Sequence, residues 1–199
     1  MNQKTIIEFD LILLAAGKGE RMGFKKQFST IGHLPIWRIA LDQIRAHSSC
    51  KTVIIVFPKN AYIDQTFFDE NPDTKWVHGG DTRCISVWNA LNFYEKQSSH
   101  KPYLAIHDAA RPIVPHSVLD EMILKLKQGE KAVIPVLNAS DTVKTYSFPY
   151  IISTLKREEL VFAQTPQLFK TEIIRSTYKN FFSNKRSDNL ATLSFNPID

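Results

Sequence analysis

Short apolar runs that alternate with helical patterns constrain the fold of this chain more than any other feature. The runs are rich in β-branched and aromatic residues and cover residues 9–16, 52–57, 103–107 and 131–137. Between them, apolar residues recur at three- and four-residue spacing over residues 35–46, 81–96 and 117–129, and Asp81 is expected to cap the second of these helices. Strands buried on both faces that alternate with helices predict an α/β fold with a mainly parallel sheet.

One stretch, residues 141–165, breaks this alternation. It carries strand-like residues on both sides of a Ser-Phe-Pro-Tyr turn at 147–150 and shows no helical periodicity. We expect a single domain over residues 1–199 with a β-hairpin arm at about 139–162 that projects from the sheet. Phe148, Ile151 and Ile152 would leave apolar surface on this arm exposed, so a second copy of the chain is expected to cover it in a homodimer.

Composition limits the classes of ligand that the chain could bind and the compartments in which it could work. The net charge of +5 and the isoelectric point of 9.1 suit an anionic ligand. The basic residues form no long block, which favours a small polyphosphate over nucleic acid. No stretch approaches the roughly 20 apolar residues of a membrane span, and the first apolar run is interrupted by Asp10. With only Cys50 and Cys84 and no cysteine framework, we expect a soluble protein of the reducing cytoplasm, without a membrane partner.

A glycine-rich basic loop, LAAGKGERMGFKKQF at residues 14–28, directly follows the first predicted strand. Its G-x-G-x-x-x-G spacing is one residue longer than the dinucleotide fingerprint, and it lacks the Gly-Lys-Ser/Thr of a Walker A loop. Glycines let backbone N–H groups approach a phosphate closely, and loops at the carboxyl ends of parallel strands bind ligands in α/β folds. Arg21, Lys25 and Lys26 would neutralise charge on a phosphorus centre. The loop is therefore predicted to hold phosphates.

The motif HDAARP at residues 107–112 follows another predicted strand. Asp108 would lie at the same edge of the sheet, where a carboxylate suits Mg²⁺ bound together with substrate phosphates. Arg111 would serve either the fold or a phosphate, and His107 is interpreted as a structural histidine. In GGDTRCIS at 79–86, the start of a helix is expected to favour an anion or a polar base edge.

The motifs LAAGKGERMGFKKQF, GGDTRCISV, IHDAARP, PVLNASDTVK and REELVFAQTPQLF occur in this order. Together they resemble the 2-C-methyl-D-erythritol 4-phosphate cytidylyltransferases of the non-mevalonate isoprenoid pathway, over residues from about 9 to about 175. The resemblance implies a doubly wound α/β nucleotidyltransferase of the nucleotide-diphospho-sugar transferase type, dimeric through an exchanged arm. It also implies an enzyme in which the acceptor phosphate attacks the α-phosphorus of CTP, with Mg²⁺ present, and pyrophosphate leaves.

The resemblance also implies roles for individual residues. Arg21 and Lys26 would be catalytic, stabilising the transition state at the α-phosphate, and Asp108 would bind Mg²⁺. The residues expected to hold CTP are Ala15, Ala16, Gly17, Gly19, Gly80, Asp81 and Ser86. The residues expected to hold the polyol phosphate, some of them from the second subunit, are Arg111, Thr142, Arg157 and Thr165.

The chain departs from the family pattern at two places. Lys25 stands where the family usually has proline, and SDNLA at 187–191 only weakly echoes a Thr-Asp-Asp/Glu-Ala motif, so the family's C-terminal segment is expected to be missing. A ribitol 5-phosphate cytidylyltransferase remains an alternative, because it shares the glycine loop and the HDAARP-type motif. A truncated, non-catalytic CTP-binding or dimerisation module is a second alternative, and a basic nucleic-acid-binding protein is the more distant third.

Overall fold

The fold is built on one central sheet that places several loops at the same edge. The computed structural model describes residues 7–19 and 23–187, with no description of the side chains of 185–187. The strands are β1 (Phe9–Leu14), β2 (Thr30–Ile31), β3 (Leu34–Pro35), β4 (Cys50–Phe57), β5 (Thr74–His78), β6 (Tyr103–Asp108), β7 (Ala132–Val133), β8 (Val136–Asn138), β9 (Lys144–Ser147), β10 (Tyr150–Thr154), β11 (Val161–Ala163) and β12 (Gln167–Lys170). The helices are α1 (Ile36–Arg45), α2 (Gln65–Glu70), α3 (Arg83–Glu95), α4 (His116–Lys127) and α5 (Thr171–Ser187).

The central sheet has the order β5-β4-β1-β6-β12-β7. Strands β5, β4, β1 and β6 are parallel, whereas β12 is antiparallel to both β6 and β7. The chain moves outward from β1 to β4 and β5, and then returns to the other side of β1 with β6. This reversal makes the carboxyl ends of β1 and β6 a topological switch point, the usual place for a ligand crevice in such sheets. The predicted mainly parallel α/β sheet is confirmed.

Two apolar layers cover the two faces of the sheet. Alternate residues of β1 explain this, because Leu11 and Leu13 belong to one buried cluster and Ile12 to the other. The first cluster includes Leu41 of α1 and Leu119 of α4, whereas residues of α3 and α5 pack into the second. The sheet is therefore doubly wound, as the resemblance implied.

Some boundaries and elements differ from the predictions. The run at 131–137 is not one strand: it divides into β7 and β8, which lie in different sheets with Pro135 between them. Proline has no N–H for a ladder, and its carbonyl instead accepts from the Gln164 N–H at 2.8 Å. The predicted cap of α3 was also wrong, because Thr82, not Asp81, accepts the Ile85 N–H with its hydroxyl. Helices α2 and α5 and strands β5 and β12 were not predicted.

Two antiparallel ribbons form the region where an arm was predicted. In the first, β9 pairs with β10 around the turn at 147–150, and in the second, β8 pairs with β11. Every residue of β9 and β10 is exposed. The apolar side chains include Phe148, which is 89% exposed, and Ile152, which is 66% exposed. The ribbons thus present apolar surface that the rest of the described chain does not cover.

None of the helices within residues 7–19 and 23–187 is both long enough and apolar enough to span a membrane.

Candidate active site

A buried glutamine binds the first residues of the loop after β1. The Gln27 side chain is only 5% exposed, and its amide nitrogen donates to the carbonyl of Ala15 at 2.8 Å and to the carbonyl of Gly17 at 2.7 Å. One amide group thereby binds two carbonyls that are two residues apart at the end of β1. With both carbonyls turned towards Gln27, the backbone is fixed at residues 15–17, where the glycine loop leaves β1.

The far side of this loop depends on one glycine. Gly19 has a φ of +72°, and a Cβ at this position would lie 2.0 Å from the carbonyl oxygen of Phe24, so no other residue fits. The segment then makes a short 3-10 turn at Lys26–Phe28, where Lys26 is exposed. The Lys25 side chain is bound to another segment, because its ammonium donates to the Asn60 side chain at 3.3 Å. Of these two neighbouring lysines, only Lys26 is left to face a ligand.

The turn between β5 and α3 packs directly on the end of β1. A Cβ added at Gly79 would lie 2.4 Å from the Ala16 Cβ and 2.8 Å from the Ser86 Oγ. The adjacent Gly80 N–H donates to the Ser86 hydroxyl at 3.1 Å. Ala16, Gly80 and Ser86 are therefore neighbours in space, and Asp81 follows on the exposed part of the same turn. Two motifs separated by more than sixty positions in the sequence therefore form one side of the candidate site.

A carboxylate between two arginines forms the next part of the site. Asp108 ends β6 beside Leu14 of β1. Its Oδ1 lies 3.2 Å from the Arg83 Nε, and its Oδ2 lies 3.6 Å from the Arg111 Nε. All three side chains are partly exposed, with 33% exposure for Asp108. The charge of this carboxylate is thus balanced by two cations, each of which can also contact an anionic ligand.

A buried imidazole connects this carboxylate to the β11–β12 connection. His107 is fully buried; its Nε2 lies 2.9 Å from the Arg111 carbonyl, and its Nδ1 lies 2.9 Å from the Thr165 hydroxyl. The Asp108 N–H also donates to that hydroxyl, at 3.3 Å. Burial lowers the pKa of His107 to about 4, so the imidazole is neutral near pH 7. This agrees with the structural role expected from the sequence.

Arg111 is held from a second direction by Gln164, whose side-chain carbonyl accepts from the guanidinium Nη1. The Gln164 N–H in turn donates to the Pro135 carbonyl, so this glutamine is fixed to the start of the β8–β11 ribbon. Arg111 therefore contacts both Asp108 and the base of the ribbons.

The structure brings most of the predicted site residues to one edge of the sheet. These residues are Ala15, Ala16, Gly17, Gly19, Lys26, Gly80, Asp81, Ser86, Asp108, Arg111 and Thr165. Thr142 lies in the connection between β8 and β9, and Arg157 begins a 3-10 turn between β10 and β11. Both are exposed, and in the described part of the chain no hydrogen bond or ion pair connects them to Asp108 or Arg111. Arg21 lies outside the described residues.

Sequence reasoning gave no site role to Gln27 or Gln164 and no separate role to Arg83. Gln27, Arg83 and Gln164 all lay within quoted motifs, so their presence was visible. Their partners were not, because the contacts of Arg83 with Asp108 and of Gln164 with Arg111 span 25 and 53 positions.

The carboxylate of the candidate site fits a magnesium ion only if phosphates supply further ligands. Within residues 7–19 and 23–187, no group of three or more His, Cys, Asp or Glu side chains could hold a metal ion. Mg²⁺ commonly binds one or two carboxylates together with substrate phosphates. The single carboxylate of Asp108 therefore fits a magnesium ion that arrives with a polyphosphate, and does not fit a metal site made of protein ligands alone.

A glycine loop, a helix-opening turn and a carboxylate with two arginines thus meet at the switch point of a doubly wound sheet. These features define the class of α/β proteins that bind a nucleotide or another polyphosphate at the carboxyl edge of the sheet.

Comparisons with known proteins narrow this class. A sequence model of the family IspD, 2-C-methyl-D-erythritol 4-phosphate cytidylyltransferase, matches residues 9–193. The 2-C-methyl-D-erythritol 4-phosphate cytidylyltransferase of Petrotoga mobilis is 32% identical over 173 residues, which are 84% of this chain and 75% of that protein. The bifunctional enzyme IspD/IspF of Bartonella tribocorum is 35% identical over 179 residues, which are 87% of this chain and 44% of that enzyme.

Solved structures agree with the sequence matches. The Francisella tularensis 2-C-methyl-D-erythritol 4-phosphate cytidylyltransferase matches with a TM-score of 0.72 and 25% identity, over 93% of this chain and 82% of that one. The chain belongs to the 2-C-methyl-D-erythritol 4-phosphate cytidylyltransferase family. It spans about half the length of the bifunctional relatives that it matches, 44% and 48% for two of them.

Proposed function

We propose that this chain transfers the cytidylyl group of CTP to 2-C-methyl-D-erythritol 4-phosphate. An oxygen of the acceptor phosphate forms a bond with the α-phosphorus of CTP, the bond from that phosphorus to the bridging oxygen of the β-phosphate breaks, and pyrophosphate leaves. The products are 4-diphosphocytidyl-2-C-methyl-D-erythritol and pyrophosphate. Family membership supports the reaction, and the names of the relatives support the acceptor.

One observation carries the proposal: three distant family motifs meet at one edge of the sheet, through the Gly79–Ala16 contact and the Leu14–Asp108 pairing. There they would form a cleft for both substrates. On one side, the backbone of the glycine loop would hold the triphosphate. Gly80, Asp81 and Ser86 would contact the cytosine and ribose. On the other side, Arg111 and Thr165 would hold the acceptor.

Phosphoryl-type transfer depends on positioning and on neutralising charge, so cations around the α-phosphate are the main chemical requirement. Lys26 is exposed at the end of the loop and would stabilise the transition state together with Arg21. Asp108 would hold Mg²⁺, which neutralises phosphate charge and assists the departure of pyrophosphate. The attacking phosphate oxygen is already deprotonated at neutral pH, so no general base is needed.

We further propose that the active form is a homodimer in the cytoplasm. The exposed apolar side chains of β9, β10 and their turn support this, because monomers seldom expose so much contiguous apolar surface. Exchange of this arm would bring the partner's copies of Thr142 and Arg157 to the acceptor, and it would account for the distance of these residues from the cleft within one chain. Cys50 and Cys84 form no disulfide within the described residues, which suits a reducing compartment.

The direct test measures pyrophosphate release by this chain with Mg²⁺, CTP and 2-C-methyl-D-erythritol 4-phosphate. We expect release that requires all three, with the diphosphocytidyl product seen by ³¹P NMR. Release that is faster with ribitol 5-phosphate would contradict the assigned acceptor. Binding of CTP without release for either acceptor would contradict the assigned activity and support a binding module instead.

A further inference from the structure

The hydrogen bonds around His107 have fixed directions. The Arg111 carbonyl can only accept, so the His107 Nε2 must carry the proton that joins them. The His107 ring is fully buried and its two nitrogens contact a carbonyl and a hydroxyl, not a carboxylate, so it is held as the neutral imidazole. With the proton on Nε2, Nδ1 is an acceptor, and the Thr165 hydroxyl must therefore donate its proton to Nδ1. The same hydroxyl oxygen accepts the Asp108 N–H.

This arrangement leaves the Thr165 oxygen with one free lone pair and no free proton. Thr165 can accept one more hydrogen bond but cannot donate one. A phosphate oxygen that is ionised or esterified only accepts hydrogen bonds, so it is a poor partner for Thr165. A hydroxyl group is a good partner, because it can donate.

We propose that His107 is a positioning residue that keeps Thr165 as a hydrogen-bond acceptor, so that Thr165 binds a hydroxyl of the polyol rather than its phosphate. This inference rests on the proposed function, since it assumes a polyol phosphate acceptor beside Thr165. His107 does not touch the substrate. It acts through Thr165, and through the Arg111 carbonyl it also holds the loop that carries Arg111.

Substitutions at His107 can separate its two hydrogen bonds. In His107→Asn, the side-chain carbonyl can still accept from Thr165, but the contact with the Arg111 carbonyl is lost. In His107→Gln, the terminal amide can still donate to that carbonyl, but Thr165 loses its acceptor and its hydroxyl is free to rotate. The two variants therefore differ mainly in the direction of the Thr165 hydroxyl.

The chain offers a matched control at His47. This imidazole is 7% exposed, contacts Asp120 through Nε2 at 3.2 Å and accepts the Ser49 N–H at Nδ1. It lies near the start of β4, at the sheet edge opposite to His107. His47→Gln thus removes a similar buried, doubly bonded imidazole far from the cleft.

Steady-state kinetics of the full chain with 2-C-methyl-D-erythritol 4-phosphate provide the first test. We expect His107→Gln to raise the KM for this acceptor about tenfold, the upper range for one hydrogen bond, with the KM for CTP changed less than about twofold. His107→Asn and Thr165→Ser should stay within about threefold of the wild type. Thr165→Val should match His107→Gln, and combining the two should raise the KM no further.

Several results would overturn the proposal. One is an equal rise of both KM values in His107→Gln, and another is a further rise when His107→Gln is added to Thr165→Val. If His47→Gln raises the acceptor KM as much, the effect is general destabilisation and not positioning.

A spectroscopic test needs no variant. In the ¹⁵N-labelled wild type, the imidazole shifts of His107 should show a protonated Nε2 and an unprotonated, hydrogen-bonded Nδ1 at pH 7. A proton on Nδ1 would overturn the proposal even if every variant failed to fold. If the wild type releases no pyrophosphate, the proposed function fails, whereas the tautomer still shows whether the Thr165 hydroxyl is oriented as inferred.

Discussion

Gln27→Leu tests whether the glycine loop owes its shape to a single buried amide. The change replaces the amide by an apolar side chain of similar size and removes the donors to the Ala15 and Gly17 carbonyls. Each lost hydrogen bond is worth about 0.5–1.5 kcal/mol, so the loop shape that the structure shows loses about 1–3 kcal/mol relative to other loop conformations. That energy corresponds to roughly 5- to 150-fold in an equilibrium constant.

If CTP binds only the shaped loop, part of this loss appears as weaker binding, because the apparent affinity falls with the population of the competent state. We expect the Kd for CTP with Mg²⁺, measured by isothermal titration calorimetry, to rise about tenfold. Gln97→Leu is the matched control: this glutamine also donates to a backbone carbonyl, that of Phe93, but just after the end of α3. Its Kd should not change.

Gln27→Glu adds a second, sharper comparison. The carboxylate has no donor and would place negative charge against two carbonyl oxygens in a buried position, so it should weaken CTP binding more than leucine does. A Kd for Gln27→Leu within twofold of the wild type would refute the reasoning. It would mean that other contacts of the loop already hold its shape.

Other perturbations test separate parts of the site and of the assembly. Lys26→Ala should lower kcat about 10²–10³-fold while the Kd for CTP changes only a few-fold; equal losses would argue against a transition-state role. Gly79→Ala should abolish measurable CTP binding and destabilise the fold by about 1–3 kcal/mol in chemical denaturation, because its Cβ would overlap Ala16; wild-type affinity would contradict the packing. Replacing residues 145–152 by two glycines should yield a monomer in light scattering, and an unchanged mass would rule out the arm as the dimer contact.

Local sequence patterns were sufficient to predict the strands that form the centre of the sheet. Strands β1, β4 and β6 are buried on both faces, so they appear as continuous apolar runs, and Gly17 and Pro58 mark where two of these runs stop. Strands β5 and β12 lack this signal. In β5, TKWVH mixes polar and apolar residues, and in β12 only Leu168 is fully buried. Their pairing depends on tertiary contacts that no short window contains.

Helix α5 differs from these strands, because the sequence does contain the periodicity that predicts it. Ile174, Tyr178 and Phe182 recur at four-residue spacing, and the structure stacks Phe182 on Trp88 of α3 with ring centroids 4.8 Å apart. The helix follows β12 without a glycine or proline between them. The periodicity predicts the helix, whereas its packing on α3 depends on the sheet topology.

The candidate site shows the same division between composition and topology. The glycines, the lysines and the Asp108 carboxylate indicate a phosphate-binding site, because sites that bind phosphates commonly use these residue types. The residues that orient them cannot be identified in this way. Glutamine, histidine and threonine are common in any protein, and the role of each one here depends on the groups that it contacts. Gln27 acquires its role from two carbonyls at the end of β1, and His107 acquires its role from a hydroxyl 58 positions away. In this fold the switch point brings such partners together, so the chemistry can be predicted from the motifs, while the partner of each hydrogen bond follows only from the sheet order.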